Sequence, residues 1–481
     1  MAKVHKLMSV FFMFCCVFSF AADSAQPSPL ASARIPASRL DAYSDLAVKW
    51  MQEYLRIDTT NPPGNEVRTA AWLHKILDQE GIENRTFEFA PGRADLWARL
   101  PHTTSSPKRP IIMLSHMDVV TSDPKHWMVP PFSAEIVNGY IYGRGAQDMK
   151  NEGFAHLMAM ILLKREKIAL DRDIILLAVA DEEVNGTGTD WFIAHQRELL
   201  GNAEFLINEG GENLLDANGH LKLVGVDVGE KSPLWLHIVA HGRPGHGALP
   251  NADSAPDRLV HALSRLQAYQ TPLKVLPIVD EFFKQMATYE PPERAAKFRN
   301  LTESLKDPSF RESVEKDESL NYMLRDTMQL TMLGGSEQTN VVPAEAWANI
   351  DVRLLPGTNP KEFLATIRNV VNDSNVTVEP QDNEFREANS SPTDTALYGA
   401  ISKVSGQYFP GTPVVPELDS GYTENQRYRP LGIHAYGFCP YTVTQEVSDT
   451  EHGDNERISV EEVRRGFRVL YDVITTAAGI N

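Results

Sequence analysis

Three observations predict an α/β chain that carries an inserted α+β unit. Residues 110–118 (PIIMLSHMD), 174–183 (IILLAVADEE) and 203–211 (AEFLINEGG) are continuous apolar runs. Such runs suit strands covered on both faces, as in a parallel sheet. Residues 153–167 (GFAHLMAMILLKREK) form a strongly apolar helical stretch between the first two runs, as a crossover connection requires. From residue 233 the pattern changes. PLWLHIVAHG (233–242), MQLTMLGG (328–335) and AWANIDVRLLPG (346–357) alternate, which predicts strands with one wet face.

In chain order, the basic start MAKVHK and the apolar run LMSVFFMFCCVFSF precede Ser19 and Ala21. This is the layout of a cleaved export signal over residues 1–21. A membrane anchor is the alternative, but the run is shorter than the roughly 20 residues that span a bilayer. Residues 22–38, rich in Pro, Ser and Ala, read as a linker. Leu40, Tyr43, Leu46, Ala47, Trp50 and Tyr54 fall at helical spacing. The turn NPPGN leads to a second helix over residues 67–79, stopped at Gly81. The main domain is thus expected over residues 39–232 and again over 386–481, with the insert at 233–385. Within the insert, residues 255–267 and 360–371 have helical patterns, and the charged stretch 272–326 reads as a helical elaboration without strand signals.

A length of 481 residues accommodates two domains. Apolar content of 42% and charged content of 23% describe an ordinary folded protein. A net charge of −18, from 46 basic and 64 acidic side chains, argues against nucleic acid or anionic lipid as partner. Cys15 and Cys16 lie in the export segment, leaving Cys439 without an internal disulfide partner. An exported chain of this kind is held together by its core or by metal.

The apolar runs share one feature. The first ends in His116, with Asp118 two residues on; the second ends in Glu182 and Glu183; the third ends in Glu209. Open α/β sheets bind ligands at the carboxyl ends of their strands, so these residues converge on one edge. Asp148 in GRGAQDMKN and His452 in DTEHGDNE are further suppliers. Imidazole and carboxylate donors suit zinc, and such sets with an open position mark hydrolytic sites. Charge balance favours two ions, because two dications offset three ligand carboxylates and a hydroxide. Asp148 alone could instead cap the helix that follows it.

The ordered set SHMDVV, GRGAQDMK, DEE, NEGG, HGRPGHG, NVVP, IDVRLLPG and HGDNE resembles the di-zinc metallopeptidase family twenty from about Leu46 onward. That family includes aminoacylases and carboxypeptidases, and the spacing is nearest the branch of Gly-Xaa carboxypeptidase and N-fatty-acyl-amino-acid hydrolase. The resemblance implies a zinc-exopeptidase-like catalytic domain with an inserted ferredoxin-like lid. It implies two Zn²⁺ per chain. Asp148 would bridge them, His116 and Glu209 would complete one, and Glu183 and His452 the other. Asp118 would orient the His116 ring, and Glu182 would be the general base on a water held between the metals. On the substrate side the resemblance points to His246, with His241 an alternative, to Asn340, and to Arg353, which could equally pair with Asp351. Glu424 stands where relatives carry Asp and is left without a role. The implied enzyme is an exported hydrolase of an amide beside a free carboxylate, acting on a small molecule or short peptide. It would not insert stably in a membrane once the signal is removed, and could dimerise through the lid. A deacylase of other small amides and a non-catalytic solute-binding protein are the rival readings.

Overall fold

The computed structural model describes residues 35–211, 213–382 and 385–480. The expected export signal and most of its linker lie outside the described residues. The principal elements, numbered here in chain order, are α1 (Ala37–Leu55), α2 (Val67–Gln79), β1 (Glu83–Ala90), β2 (Arg93–Leu100), β3 (Lys108–His116), α3 (Lys150–Arg165), β4 (Arg172–Val179), α4 (Thr187–His195), β5 (Phe205–Asn208) and β6 (Val224–Glu230). The insert contributes β7 (Leu236–His241), α5 (Ala255–Ala268), β8 (Thr327–Gly334), β9 (Glu345–Leu354), α6 (Pro360–Val371) and β10 (Val376–Pro380). The chain then closes with α7 (Ala396–Tyr408), β11 (Val414–Asp419), β12 (His434–Gly437) and α8 (Val460–Ala478).

An eight-stranded mixed sheet in the order β1-β2-β4-β3-β5-β12-β6-β11 forms the main layer. β4, β3, β5 and β12 run parallel, while β1 and β2 add an antiparallel hairpin at one edge. The continuous apolar runs are explained by two cores. Ile111 and Met113 of β3 pack with α1, α3 and α8 on one face. Ile112 and Leu114 pack with Phe192, Leu200 and Tyr428 on the other. β4 divides in the same way, Ile174 and Leu176 to one side, Ile175 and Leu177 to the other. Each such side chain is essentially fully buried and contributes about 1.5–3 kcal/mol of transfer free energy. The fold is therefore α/β, as the sequence predicts.

The insert has the chain order βαββαβ, with β10-β7-β9-β8 as its spatial order and every pair antiparallel, which is the ferredoxin-like arrangement. Alternation in β9 follows from one covered face. Ala346, Ala348, Ile350, Val352 and Leu354 are buried among α5 and α6, and Asp351 and Arg353 lie on the other face. The charged stretch between α5 and β8 is helical, as expected from its pattern. Its phenylalanines, among them Phe283, Phe298 and Phe310, pack with Leu355 and with Val415 and Leu418 of β11. It therefore ties the far edge of the main sheet to the insert. Among the described residues, no helix is long and apolar enough to cross a membrane.

Candidate active site

Because β3, β4 and β5 are parallel, their carboxyl ends reach one edge, and His116, Glu182, Glu183 and Glu209 arrive there together. His116 is paired in register with Val179, just before the acidic turn. Its Nδ1–H donates to the main-chain carbonyl of Asp118 at 3.0 Å. That bond turns Nε2 toward the site, 2.9 Å from Asp148 Oδ1 and 3.3 Å from Glu209 Oε2. The other oxygen of Asp148 faces His452 Nε2 at 2.8 Å, and Glu183 Oε2 lies 3.4 Å from the same nitrogen. Asp148 thus stands between two histidines, one oxygen toward each.

The Asp118 carboxylate does something the sequence reading does not anticipate. It lies 3.7 Å from the His116 ring, while it accepts the main-chain N–H groups of Glu182 and Glu183 at 3.1 and 3.2 Å. It also accepts from Asn61 Nδ2 at 2.8 Å. The orientation of His116 comes from the carbonyl of Asp118, and the carboxylate clamps the turn that presents the two glutamates. Asp181, the third acid of that turn, has its own cation: Arg93 lies 3.0 Å away and also pairs with Glu66 at 2.7 Å. Asp181 stays ionised. Burial would raise its pKa, but Thr187, Asn61 and Arg93 together hold it below the ordinary value.

Asp148 and His452 lie on loops that are far apart in sequence and are joined by a buried ion pair. Glu456 Oε2 accepts from Arg144 Nη1 at 2.7 Å and from Gly145 N–H at 2.9 Å. Its Oε1 accepts from the N–H groups of Gln147 and Asp148. Arg144 also donates to the carbonyl of Gly453 at 2.8 Å. His452 itself has a φ of +55°. Residues other than glycine adopt this region rarely, and such positions cluster at functional sites.

The charges explain one another. Burial pushes Glu182 well above the ordinary carboxylate range, with the Glu209 charge adding to it. Burial pushes Glu209 up to about 8, and it raises Glu183 too. His116 is raised despite burial, chiefly by Glu209 and Asp148. His452 is pushed up to about 10 by its hydrogen bonds to Asp148 and Glu183. Glu424, left without a role in the sequence reading, is fully buried, accepts from Thr189 at 2.7 Å and is pushed up to about 7 by burial. The family resemblance marks the position of Glu424 without giving it a role, whereas no sequence signal distinguishes Asn61 or Arg93 as neighbours of the site; only the packed turns bring them there.

This donor set fits metal ions. His116, Asp148 and Glu183 bring ligand atoms within 4.8 Å of one another, and so do His116, Glu182 and Glu209. One oxygen of Glu183 and one of Glu209 are buried without a hydrogen-bond partner. An orphaned buried carboxylate oxygen is costly unless a cation takes it. Zinc accepts both donor types.

The three substrate residues expected in the insert are placed elsewhere in this conformation. His246 and Asn340 are exposed beside the short ribbon that pairs Gly245–His246 with Val341–Val342. Neither is among the described residues lining the cavity, of about 1200 Å³, that opens beside Asp148, Glu182, Glu183, Glu209 and His452. His241, the alternative, lies at the end of β7, 3.2 Å from Glu345. Arg353 holds Asp351 bidentately at 2.8 and 3.2 Å.

The sequence pattern of peptidase family M20/M25/M40 matches residues 112–476. The N-fatty-acyl-amino acid synthase/hydrolase PM20D1 of Xenopus tropicalis is 30% identical over 362 residues, covering 74% of this chain and 70% of that protein. Aminoacylase-1 of Mus musculus is 27% identical over 445 residues, covering 90% of this chain and 96% of that protein. The crystal structure of the M20 family metallo-carboxypeptidase Sso-CP2 from Sulfolobus solfataricus has the same fold. Its TM-score is 0.66 at 19% identity, over 90% of this chain and 99% of that one.

Proposed function

This chain belongs to peptidase family M20/M25/M40 and is a metal-dependent hydrolase of amide bonds, and we propose that it is an exported two-zinc enzyme that cleaves an amide adjacent to a free carboxylate. The substrate is an N-acyl amino acid or a small peptide cut from its carboxyl end. The observation that carries this reading is Asp148 poised between His116 and His452, with the unpaired oxygens of Glu183 and Glu209 on either side.

His116, Asp148 and Glu209 would hold one ion, and His452, Asp148 and Glu183 the other. When bound, such ions polarise the amide carbonyl and bring the pKa of water toward about 7. Glu182 is the proton carrier. It takes a proton from the attacking water and returns it to the departing nitrogen. Burial and the Glu209 charge raise the pKa of Glu182, which strengthens a carboxylate that accepts a proton and returns it. Asp118 fixes the turn from which Glu182 reaches the substrate. His246, Asn340 and Arg353 act when the insert closes over the main sheet. Arg353, whose fork already matches a carboxylate in its pair with Asp351, would exchange that partner for the substrate carboxylate. The pattern of residues 1–21 supports export. The outer position of β8, with Met332 and Leu333 exposed, supports a homodimer through the insert.

The test is hydrolysis of N-acyl amino acids, dipeptides and their C-terminal amides by the purified protein, before and after chelation and again after zinc is restored. Activity on the free acids that chelation abolishes and zinc restores is the expected result. Activity that chelation leaves intact, or an equal rate on acids and amides, would refute it.

A further inference from the structure

Among the described residues lining the cavity, four buried polar atoms lack a hydrogen-bond partner: Glu183 Oε1, Glu209 Oε1, Asn151 Oδ1 and Glu152 Oε2. The first two belong to the metal cradle. The other two lie in the first turn of α3, and their side chains are almost wholly enclosed, at 3% and 4% exposure. All four accept when unprotonated, and because burial raises Glu152 well above the ordinary carboxylate range, a cation is what would hold it ionised. Aside from the acids around the histidines, the acidic lining residues are Glu152, Asp216, Asp227, Glu417, Asp419 and Glu451, and the basic ones among those described are Lys222 and His452. With two ions held, three ligand carboxylates and a hydroxide would offset their charge and His452 would be neutral, so the acidic excess of the lining would remain.

We propose that this wall is a subsite for a cationic group of the substrate, an ammonium or guanidinium whose donors meet Glu152 Oε2 and Asn151 Oδ1. The inference deepens the amide-hydrolase reading and rests on it. A cation supplies what these atoms lack, and the carboxylates of Glu417 and Asp419, which line the same cavity, attract it. A plain alkyl chain in the same place would give these buried acceptors no partner. The preferred substrates are therefore peptides or acyl amino acids that carry a free amine or a basic side chain, rather than amides of long neutral fatty acids.

The experiment uses zinc-loaded protein and pairs of substrates matched in length, lysine against norleucine, with the pair placed first on the acyl side and then on the leaving side of the amide. In at least one position the lysine member should have a kcat/KM higher by about tenfold or more, the range of one charge-assisted hydrogen bond. Glu152→Gln should bring that ratio close to one. Equal or better turnover of norleucine in both positions, or a ratio that Glu152→Gln leaves unchanged, would overturn the proposal. Calorimetric titration of the same ligands into zinc-loaded Glu182→Gln protein reads the subsite with Glu152 intact and without turnover. The lysine ligand should bind at least about tenfold more tightly, and equal binding would overturn the proposal. If the wild type hydrolyses none of these amides, the hydrolase reading fails on its own, and the titration still decides the subsite.

Discussion

Glu456→Gln probes the device that holds Asp148 and His452 in register. The wild-type carboxylate serves four donors: Arg144 at 2.7 Å and the N–H groups of Gly145, Gln147 and Asp148. A glutamine can keep an acceptor toward Gln147 and Asp148. Its amide nitrogen then faces Arg144 and Gly145, both donors. Arg144 and Glu456 are 2% and 1% exposed, so the change leaves a guanidinium buried without its counter-charge. Breaking a pair of this kind costs about 3–5 kcal/mol. The control is Glu446→Gln, which breaks an ion pair of the same 2.7 Å length to Arg457, but with Glu446 at 86% exposure. A surface pair is worth about 0–1 kcal/mol. Guanidinium unfolding of both metal-free variants, followed by tryptophan fluorescence, separates the two. Glu456→Gln should lower the midpoint strongly and Glu446→Gln scarcely at all. Similar small losses in both would refute the idea that Glu456 staples the loops.

Asp148→Ala should empty both metal positions, since its two oxygens face both histidines; elemental analysis showing one ion retained at wild-type affinity would contradict this. Metal-free protein should lose thermal stability as pH rises from about 5 to about 7, below the range in which Lys150 and Lys231, both lowered to about 7 by burial, act in the opposite sense. Glu209, at about 8 when folded against an ordinary 4.5, stabilises fully below the lower value and loses that contribution as pH approaches 8. His452, at about 10 against 6.5, does so across a higher window. Metal-loaded protein, whose ligands are already deprotonated, should lack this slope; a flat melting profile in the chelated protein would count against the assignment. Arg353→Ala should erase a preference of about 10- to 150-fold for free acids over their amides, the value of a charge-assisted bond of about 1.5–3 kcal/mol. An unchanged preference in matched kcat/KM measurements would leave Arg353 with its Asp351 partnership alone.

The parallel centre of the sheet is legible because β3 and β4 carry unbroken apolar runs, Ile111–Leu114 and Ile174–Val179, which suit two-sided burial. The hairpin β1–β2 is not, because Arg85, Glu88, Arg93 and Arg99 interrupt it and one strand is an exposed edge. β6 reads VGVDVGE, with glycine and aspartate that argue against a strand, yet it is wholly buried. A side chain at Gly225 would collide with the Glu417 carboxylate from the neighbouring β11, a reason visible only once the two strands are paired. Ligand types could be recognised at strand ends, since carboxylates closing an apolar run need a partner. The supports could not. Arg144 with Glu456, and Arg93 with Asp181, are ordinary charged residues far apart in sequence, and only packing makes them neighbours. The insert is legible further: its alternation puts Arg353 and Asp351 on one strand face, which allows the ion pair that the structure contains.

The central claim is that metal and a separate carboxylate base share this edge of the sheet. Zinc-loaded Glu182→Gln protein tests it most directly, with metal content by elemental analysis and kcat on one amide substrate measured on the same sample. The account predicts zinc bound as in the wild type and kcat lower by at least ~10²-fold, the lower range for general acid–base catalysis. Full zinc occupancy with near-normal turnover would contradict it.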